Sequence, residues 1–447
     1  MKKLLASLML FLGLTSVVAC SNEAPETNEG SSEGGAEESE LVVTISEPVT
    51  IEFWHAMSGP NEEVVNQLVE TFNTTIGAEK NITVKPVFQG HYSDLKSKLT
   101  AGIKANEAPV VAQGYPDYTA EFLQSEAVVA LDEYINHPEV GIENFEDIAQ
   151  AYRDENSQYD AEGTFYSLPF NKSTEVLYYN KTFFEENGLE VPTTFEEVEA
   201  LSKQITEITG TPAFGFDSAP NAFITLVQQF GGEYTNSNGD ILFTESDAAV
   251  KALEMIKRNV DAGYWRLAGE DKYISGPFTS ELVHMYVGST AGASHVANDN
   301  FEWASAPYPQ VSEDSKAVIQ QGTNVMVLSQ DRSPEEIYAG YEFAKFLCSE
   351  EGNLQFATST GYLPIRQSVV DSEEYQAYVT ESNDSTKVSG PAQSEYYFYD
   401  PAFVNQETGI SSYQVRGEIT KAVENVVFNE MEPQAALDAA IQALGLN

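Results

Sequence analysis

The chain has 447 residues, 42% of them hydrophobic, which is enough for two or three compact units with substantial cores. It carries 69 Asp and Glu against 23 Lys and Arg, a formal net charge of −46. A field of this sign repels phosphodiester backbones and anionic lipid headgroups, so the composition excludes a nucleic-acid partner.

Residues 1–20 have the features of a lipoprotein signal peptide. Lys2 and Lys3 precede an apolar run over residues 4–14, which is too short to span a bilayer but typical of a secretion signal. The segment ends in the letters VVAC, which resemble the lipobox of bacterial lipoproteins. We therefore expect Cys20 to carry a palmitate-type lipid and to anchor the protein on the extracellular face of the cytoplasmic membrane.

Residues 21–48 are predicted to be an acidic, flexible tether. They contain eight glutamates, no lysine or arginine, and a central Ser/Gly/Glu tract, a composition that cannot bury enough apolar surface to fold. The only other cysteine, Cys348, lies in a helical apolar pattern. Because Cys20 is expected to carry lipid, Cys348 is predicted to be a buried small hydrophobic residue without a disulfide.

Strand and helix patterns alternate from residue 49 onward, which predicts an α/β unit with a parallel sheet. The predicted elements are strands at 49–54, 82–88 and 110–113 and helices near 64–72 and 92–103. Sites on such sheets lie at the carboxyl ends of the strands. Trp54, His55, Tyr92 and Tyr115 should therefore meet at one edge.

A second α/β pattern follows farther along the chain. A strand is predicted at 175–180, and helices are predicted at 181–186, from about 195 to 208, and at 248–260. No apolar run beyond the signal could cross a bilayer.

Motifs for catalysis, metal binding and cofactor binding are missing. The five histidines are scattered singly, and no GxGxxG or GxxxxGK sequence occurs, so neither a zinc helix nor a phosphate-binding loop is predicted. The GSTAG sequence at 288–292 has threonine where a nucleophile elbow needs serine. We therefore expect no metal, no cofactor and no enzymatic activity.

Six stretches resemble the extracellular solute-binding proteins of ABC importers, a class that includes maltose-binding protein, and in particular their glycerol-3-phosphate-binding members. The resemblance covers nearly all of residues 49–447. It is carried by IEFWHAM at 51–57, QGHY at 89–92, Ala108-Pro109, FNKSTEVLYYN at 170–180, TGYLPI at 360–365 and EPQAAL at 432–437.

The resemblance implies a periplasmic-binding-protein type II fold, in which two α/β lobes close over a cleft by hinge motion. Crossovers between the lobes would fall near residues 170–174, 288–290 and 349–352. The first lobe would then comprise residues 49–171 and 290–350, and the second would comprise residues 172–289 and 351–447.

The resemblance also implies a set of ligand contacts, with no catalytic residue among them. The guanidinium of Arg416 would bind an anion. The side-chain hydroxyls of the set and the Gly322 N–H would donate hydrogen bonds to the ligand without adding charge. An ion-paired surface arginine is the alternative for Arg416. The candidate residues are Tyr92, Tyr115, Asp117, Ser173, Ser289, Thr290, Gly322, Tyr362 and Arg416.

Two differences from the glycerol-3-phosphate-binding relatives alter the end of the cleft that would bind glycerol. Pro116, followed by Asp117, stands where the relatives have a glutamate, and FGFDSAP at 214–220 replaces a tryptophan-rich loop. The expected function is capture of glycerol-3-phosphate or a glycerophosphodiester by a lipid-anchored monomer and its delivery to an ABC permease.

Two alternatives remain open. One is a sugar- or oligosaccharide-binding protein, in which Trp54, Trp265 or Trp303 would provide a stacking platform. The other is a surface lipoprotein that hydrolyses polysaccharide, which differs from a binding protein because it releases a product.

Overall fold

The computed structural model describes residues 41–312, 314 and 316–446. The strands that it describes are β1 Val49–His55, β2 Ile82–Phe88, β3 Val111–Gly114, β4 Leu168–Asn180, β5 Phe214–Phe216, β6 Trp265–Leu267, β7 Met285–Ser289, β8 Trp303–Ala306, β9 Val318–Val327 and β10 Tyr397–Phe398. The first three agree with the strands predicted from alternating and β-branched residues.

The helices follow the strands in alternation over the first part of the chain and cluster toward its end. They are α1 Pro60–Thr74, α2 Ile76–Lys80, α3 Tyr92–Ala105, α4 Pro116–Leu123, α5 Asp132–Ile135, α6 Gln150–Asn156, α7 Lys181–Asn187, α8 Phe195–Thr209, α9 Ala219–Gln229, α10 Ala248–Asp261, α11 Ser275–Thr279, α12 Ala293–Val296, α13 Pro334–Leu347, α14 Glu350–Ser359, α15 Gln367–Asp371, α16 Glu373–Glu381, α17 Thr386–Ser389, α18 Ser412–Phe428 and α19 Pro433–Ala443.

The strands form two parallel groups joined by two long strands. The strand order is β2-β1-β3-β9-β4-β7-β5-β6, with β10 on β9 and β8 on β4. β1 pairs in parallel with β2 and β3, and β5 pairs in parallel with β6 and β7. β9 is antiparallel to both β3 and β4. The parallel groups are the sheets of two α/β lobes, as expected, and β4 and β9 connect them.

β4 passes from one lobe to the other within 13 residues. Its first half pairs with β9, from Leu168 opposite Val325 to Thr174 opposite Gln320. Its second half, from Glu175, pairs with β7 and β8. The crossover expected near residues 170–174 is therefore a continuous strand.

Each lobe has its own apolar core. In the first lobe, Phe53 of β1 and Phe72 of α1 pack on Phe343 of α13, with ring centroids 5.3 and 5.2 Å from Phe343. In the second lobe, Phe214 packs on Trp265 at 4.9 Å. Each side chain of this size contributes roughly 2–3 kcal/mol on full burial, so both lobes have substantial cores.

Some segments pack differently from the expected lobe assignment. Tyr308, Val318 and Ile319 join the second core, although residues 290–350 were assigned to the first lobe. Phe356 and Ile365 join the first core, although residues from 351 onward were assigned to the second. The connections run past the cleft before they turn back, so chain position alone places the lobe boundaries incorrectly.

The folded body also begins earlier than expected. Ile45 is buried in the first core, with Leu41 and Val43 packed against it, although residues 21–48 were predicted to be a tether. Apolar residues at every second position give this segment one apolar face, which the glutamate-rich composition conceals. The signal peptide, Cys20 and residues 21–40 lie outside the described residues. Within the described part, no helix combines the length and apolarity that a bilayer crossing requires.

Candidate functional site

Three tyrosines lie together at the edge of the first-lobe sheet. Tyr92 begins α3 and Tyr115 follows β3, and their ring centroids are 4.8 Å apart. Tyr362 follows α14 and stacks on Phe356 at 5.3 Å. Burial raises the pKa of Tyr92, and the neighbouring Tyr362 and Tyr115 raise it further. The tyrosines therefore stay protonated at neutral pH and present neutral hydroxyl groups.

A buried amide network fixes this cluster to the crossover strands. Asn171 of β4 donates to the Tyr92 hydroxyl at 3.3 Å. Gln113 of β3 donates to Asn171 Oδ1 at 3.0 Å and to Thr323 Oγ1 of β9 at 2.8 Å. Since Gln113, Asn171 and Thr323 are fully buried, β3, β4 and β9 are held in register directly behind the tyrosines.

The predicted serine and threonine contacts lie at the end of β7. Ser289 Oγ donates to Ser173 Oγ at 3.0 Å, so the two hydroxyls from different strands adjoin one another. Thr290 is fully buried, and its Oγ1 accepts from the Thr174 N–H at 3.5 Å. Of the two alternatives at this position, Ser289 is the partly exposed residue.

Gly322 faces Lys172 across the β4–β9 pair. Its φ is 104°, and a Cβ atom there would come within 1.9 Å of the Asn171 carbonyl oxygen. The glycine is thus required by the close approach of the two crossover strands.

Arg416 projects from the first turns of α18 into a polar cluster of the second lobe. One of its amino groups donates to Asp400 Oδ2 at 2.7 Å, and the other donates to Asn221 Oδ1 at 2.5 Å. Its side chain is 28% exposed and that of Asp400 is 14% exposed. The charge of the guanidinium is therefore already balanced within the protein.

Carboxyl groups surround this arginine. Burial raises the pKa of Asp117 to about 6, although nearby Lys96 and Arg416 lower it. Glu175 accepts from Asn221 at 3.0 Å and from Gln321 at 3.2 Å, and burial raises its pKa to about 7. Asp117, Glu175 and Asp400 each keep one buried carboxyl oxygen without a hydrogen-bond partner. This end of the cleft therefore offers a solute more hydrogen-bond acceptors than positive charge.

Direct contacts join the lobes beside this cluster. The Lys96 ammonium of α3 lies 3.2 Å from the ring centroid of Tyr413, which precedes Arg416 by one helical turn. Gln406 donates to Gln124 of α4 at 3.3 Å. The cleft is closed along this edge.

A cavity of about 440 Å³ opens next to these contacts. Its walls come from α4 and Tyr159 on one side and from two loops of the second lobe on the other. The lining residues are Ala120, Leu123, Gln124, Tyr159, Ser237, Asn238, Asp240 and Ala402, with 403–407. None of these was predicted from the sequence, and none of the predicted ligand contacts lines this cavity.

The three tryptophans and Cys348 lie in different environments. Trp265 is buried in the second core and donates to Ser202 Oγ at 3.0 Å, so it is not a stacking platform. Trp303 packs beside Tyr178 at 5.7 Å, and Trp54 donates to Glu52 at 2.9 Å. Cys348 is fully buried, as predicted, and burial raises the pKa of its thiol to about 11.

The polar cluster around Arg416 was not predicted from the sequence. Asn221, Glu175 and Asp400 lie on α9, on β4 and in the loop before α18, far apart in the chain. Glu175 stands in the FNKSTEVLYYN stretch as an acid in an otherwise β-rich run, which was the available signal. No cluster of three or more His, Cys, Asp or Glu side chains suited to a metal ion occurs in the described ranges.

Comparison with known proteins identifies the family. Residues 67–381 match the family described as bacterial extracellular solute-binding protein. The sn-glycerol-3-phosphate-binding periplasmic protein UgpB of Yersinia enterocolitica is 24% identical over 419 residues, which cover 88% of this chain and 90% of that protein.

Solved structures share the fold. UgpB from Mycobacterium tuberculosis in complex with glycerophosphocholine has a TM-score of 0.76 at 21% identity, covering 89% of this chain and 98% of that one. The GacH receptor of Streptomyces glaucescens, solved unliganded and with acarbose, has a TM-score of 0.75 at 21% identity, covering 89% and 97%. The expected binding-protein fold is thereby confirmed. The chain belongs to the bacterial extracellular solute-binding protein family.

Proposed function

We propose that this protein captures a small hydroxylated solute outside the cell and delivers it to the permease of an ABC importer. The family membership supports a binding role. The cleft supports it too, because it brings together neutral hydroxyl donors, buried acceptors and an arginine.

The ligand that the geometry supports best is a glycerophosphodiester. The observation that carries this choice is the Arg416–Asp400 pair at 2.7 Å, with Asp117 nearby. A phosphate monoester carries a charge of about −1.5 to −2 at pH 7, whereas a diester carries one negative charge. A cleft whose arginine is already balanced favours the diester over glycerol-3-phosphate, because an uncompensated buried charge is costly.

A neighbouring cavity and the ligand of a relative support the same preference. The cavity of about 440 Å³ lies beside the Gln406–Gln124 contact, and pockets of roughly 300–1,000 Å³ accommodate small ligands. The relative from M. tuberculosis was solved with glycerophosphocholine, a phosphodiester whose single negative charge is balanced by its own choline ammonium.

A sugar is the second candidate. Tyr92, Tyr115 and Tyr362 provide aromatic faces and hydroxyls that suit a neutral polyol, and the acceptors of Asp117 and Glu175 suit sugar hydroxyls. Trp265 does not support this alternative, since it is a core residue, whereas Trp54 and Trp303 are half-buried.

The protein is proposed to be tethered to the outer face of the cytoplasmic membrane by a lipid on Cys20 and to act as a monomer. The VVAC sequence and the acidic segment that follows it support the anchor. Delivery to a permease fits this location, since the loaded protein stays close to the membrane.

Differential scanning calorimetry of the protein lacking residues 1–20 tests which solute the protein binds. sn-Glycerol-3-phosphate, glycerophosphocholine, glycerol and maltose are added singly at increasing concentration. A ligand present at 100 times its dissociation constant stabilises the folded state by about 2.7 kcal/mol. We expect glycerophosphocholine to stabilise the folded protein at the lowest concentration. A stronger stabilisation by glycerol-3-phosphate or by maltose would identify that solute as the ligand and contradict the choice of a diester.

The same samples separate binding from hydrolysis. Chromatography of each solute after overnight incubation should recover it unchanged. Release of a product would contradict the binding role and favour the polysaccharide hydrolase considered above.

A further inference from the structure

Lys387, on the short helix α17, is a buried lysine that the ligand contacts do not use. Its side chain is almost completely buried, with 3% exposure for the residue. The ammonium donates to three backbone carbonyl oxygens, those of Ala357 at 3.2 Å, Thr360 at 2.9 Å and Tyr362 at 2.7 Å. No carboxylate among the described residues forms an ion pair with it.

The three carbonyls belong to the end of α14 and the turn that follows. The last carbonyls of a helix lack partners within the helix and carry partial negative charge. Lys387 supplies donors to this end from a segment about thirty residues later in the chain. The ammonium thus caps α14 from outside.

The capped turn carries Tyr362 into the cleft. Within the turn, the Tyr362 N–H donates to Thr360 Oγ1 at 3.2 Å, and the Leu363 N–H donates to the Lys172 carbonyl of β4 at 2.8 Å. A Cβ atom on Gly361 would lie 2.8 Å from Ala291, so the turn is tightly packed. The place of the Tyr362 hydroxyl beside Tyr92 therefore depends on this turn.

The other side of the same short segment is attached to β8. Ser305 bonds to Ser385 through both its N–H, at 2.7 Å, and its hydroxyl, at 3.0 Å, and to Ser389 at 2.7 Å. The segment thus connects a strand paired with β4 to the turn that holds Tyr362.

We infer that Lys387 is a positioning residue of the binding site, which holds the 360–362 turn and with it the Tyr362 hydroxyl in the geometry that receives the solute. The importance of Tyr362 for the solute rests on the proposed function. The positioning itself does not, because it can be measured without any ligand.

Two side chains also lie near the ammonium. Asp384 precedes α17, and Tyr378 of α16 has its ring centroid 5.8 Å from the ammonium. The three carbonyls of α14 and its turn are the acceptors that the ammonium contacts directly.

Hydrogen exchange of the ligand-free protein tests the inference. In Lys387→Met, the amides of Tyr362 and Leu363 should exchange about tenfold faster or more at pH 7, because three carbonyls lose their donor. Lys387→Arg, which keeps the charge and donors, should restore protection at pH 7.

Lys345→Met is the matched control, because Lys345 also donates to a backbone carbonyl, that of Val140, at 2.8 Å in the first lobe. It should leave the 360–363 amides unchanged. Unaltered exchange of these amides in Lys387→Met would overturn the inference. So would an equal acceleration throughout β1, which would indicate general destabilisation. Because these exchange measurements use the ligand-free protein, they test the inference even if no solute in the screen binds.

Discussion

Arg416 and Asp400 form an ion pair at 2.7 Å inside the cleft. The resemblance had implied that this arginine binds an anionic ligand. The pair changes what the arginine can do. An incoming anion has to compete with Asp400 for the guanidinium, and a dianion competes at greater electrostatic cost. The charge balance of the cleft is therefore set by partners that lie far from Arg416 in the chain.

Replacing Arg416 should lower stability as well as affinity. Arg416→Ala leaves the Asp400 carboxylate largely buried without its cation, at a cost on the order of 3 kcal/mol in the free energy of unfolding. The double variant Arg416→Ala with Asp400→Asn should recover most of this loss. Urea unfolding at pH 7 measures both, and an Arg416→Ala protein as stable as the wild type would show that solvent already screens the pair.

Glu175 should make stability depend on pH near neutrality. Its pKa is about 7 in the folded state and about 4.5 when unfolded, so the folded state keeps a proton that the unfolded state releases. The contribution of this carboxyl to stability is therefore lost as the pH rises from about 4.5 through 7. Glu175→Gln should be more stable than the wild type at pH 8, by up to about 3 kcal/mol, and the difference should vanish near pH 4.5.

The control for Glu175 is Glu63→Gln on the exposed side of α1. Urea unfolding at pH 4.5, 6 and 8 should show no comparable trend for this variant. If Glu175→Gln loses stability at pH 8 instead, its carboxylate is stabilised by its two amide partners more than burial penalises it.

Gly322→Ala should unfold or strongly destabilise the protein. A Cβ atom would stand 1.9 Å from the Asn171 carbonyl oxygen, and the backbone has a φ of 104°, so β4 and β9 would have to separate. Steric strain of this kind places the loss among the largest single-residue effects, above about 4 kcal/mol. Gly417→Ala is the control, because a Cβ atom there meets no atom within 4 Å. Circular dichroism melting of both variants checks the prediction.

Cys20→Ala should release the protein into the medium. Cys20 is the residue of the lipobox that receives the lipid, and a chain that retains residues 1–20 but lacks the thiol cannot be acylated. Immunoblots of membrane and medium fractions measure the distribution, with Cys348→Ala as a control that removes the other cysteine. Retention of Cys20→Ala on the membrane would contradict the lipoprotein assignment.

The local part of the fold could be predicted from the sequence, because it rests on local periodicity. β1, β2 and α3 follow from alternating apolar residues and from helical spacing, and their boundaries agree within about two residues. The meeting of Tyr92 and Tyr115 follows from the rule that sites lie at the carboxyl ends of parallel strands. These features require only neighbours in the chain or in one sheet.

The partners of Arg416 could not be predicted in this way. Asn221 reaches it through the packing of α18 on α9, Asp400 reaches it from the loop before α18, and Glu175 reaches Asn221 only because β4 crosses between the lobes. No periodicity encodes such distant contacts. The same reason explains why Tyr308 and Phe356 pack on the opposite core from the one assigned by chain position.

The contact between Lys96 and Tyr413 should stabilise the closed cleft. The ammonium lies 3.2 Å from the ring centroid, joining α3 of the first lobe to α18 of the second. Lys96 also pairs with Glu121 at 2.9 Å within the first lobe, so Tyr413→Leu removes the interlobe contact without leaving the lysine unpaired. A partly buried cation–π contact is worth roughly 0.5–2 kcal/mol, which would shift the ratio of closed to open forms about two- to thirtyfold.

Small-angle scattering of the ligand-free protein should therefore give a larger radius of gyration for Tyr413→Leu than for the wild type. Saturating solute should reduce both radii to the same value, because closure and binding are coupled. Lys104→Met, an exposed change on the same helix as Lys96, should leave the radius unchanged. Equal radii for Tyr413→Leu and the wild type, with and without solute, would show that this contact does not contribute to closure.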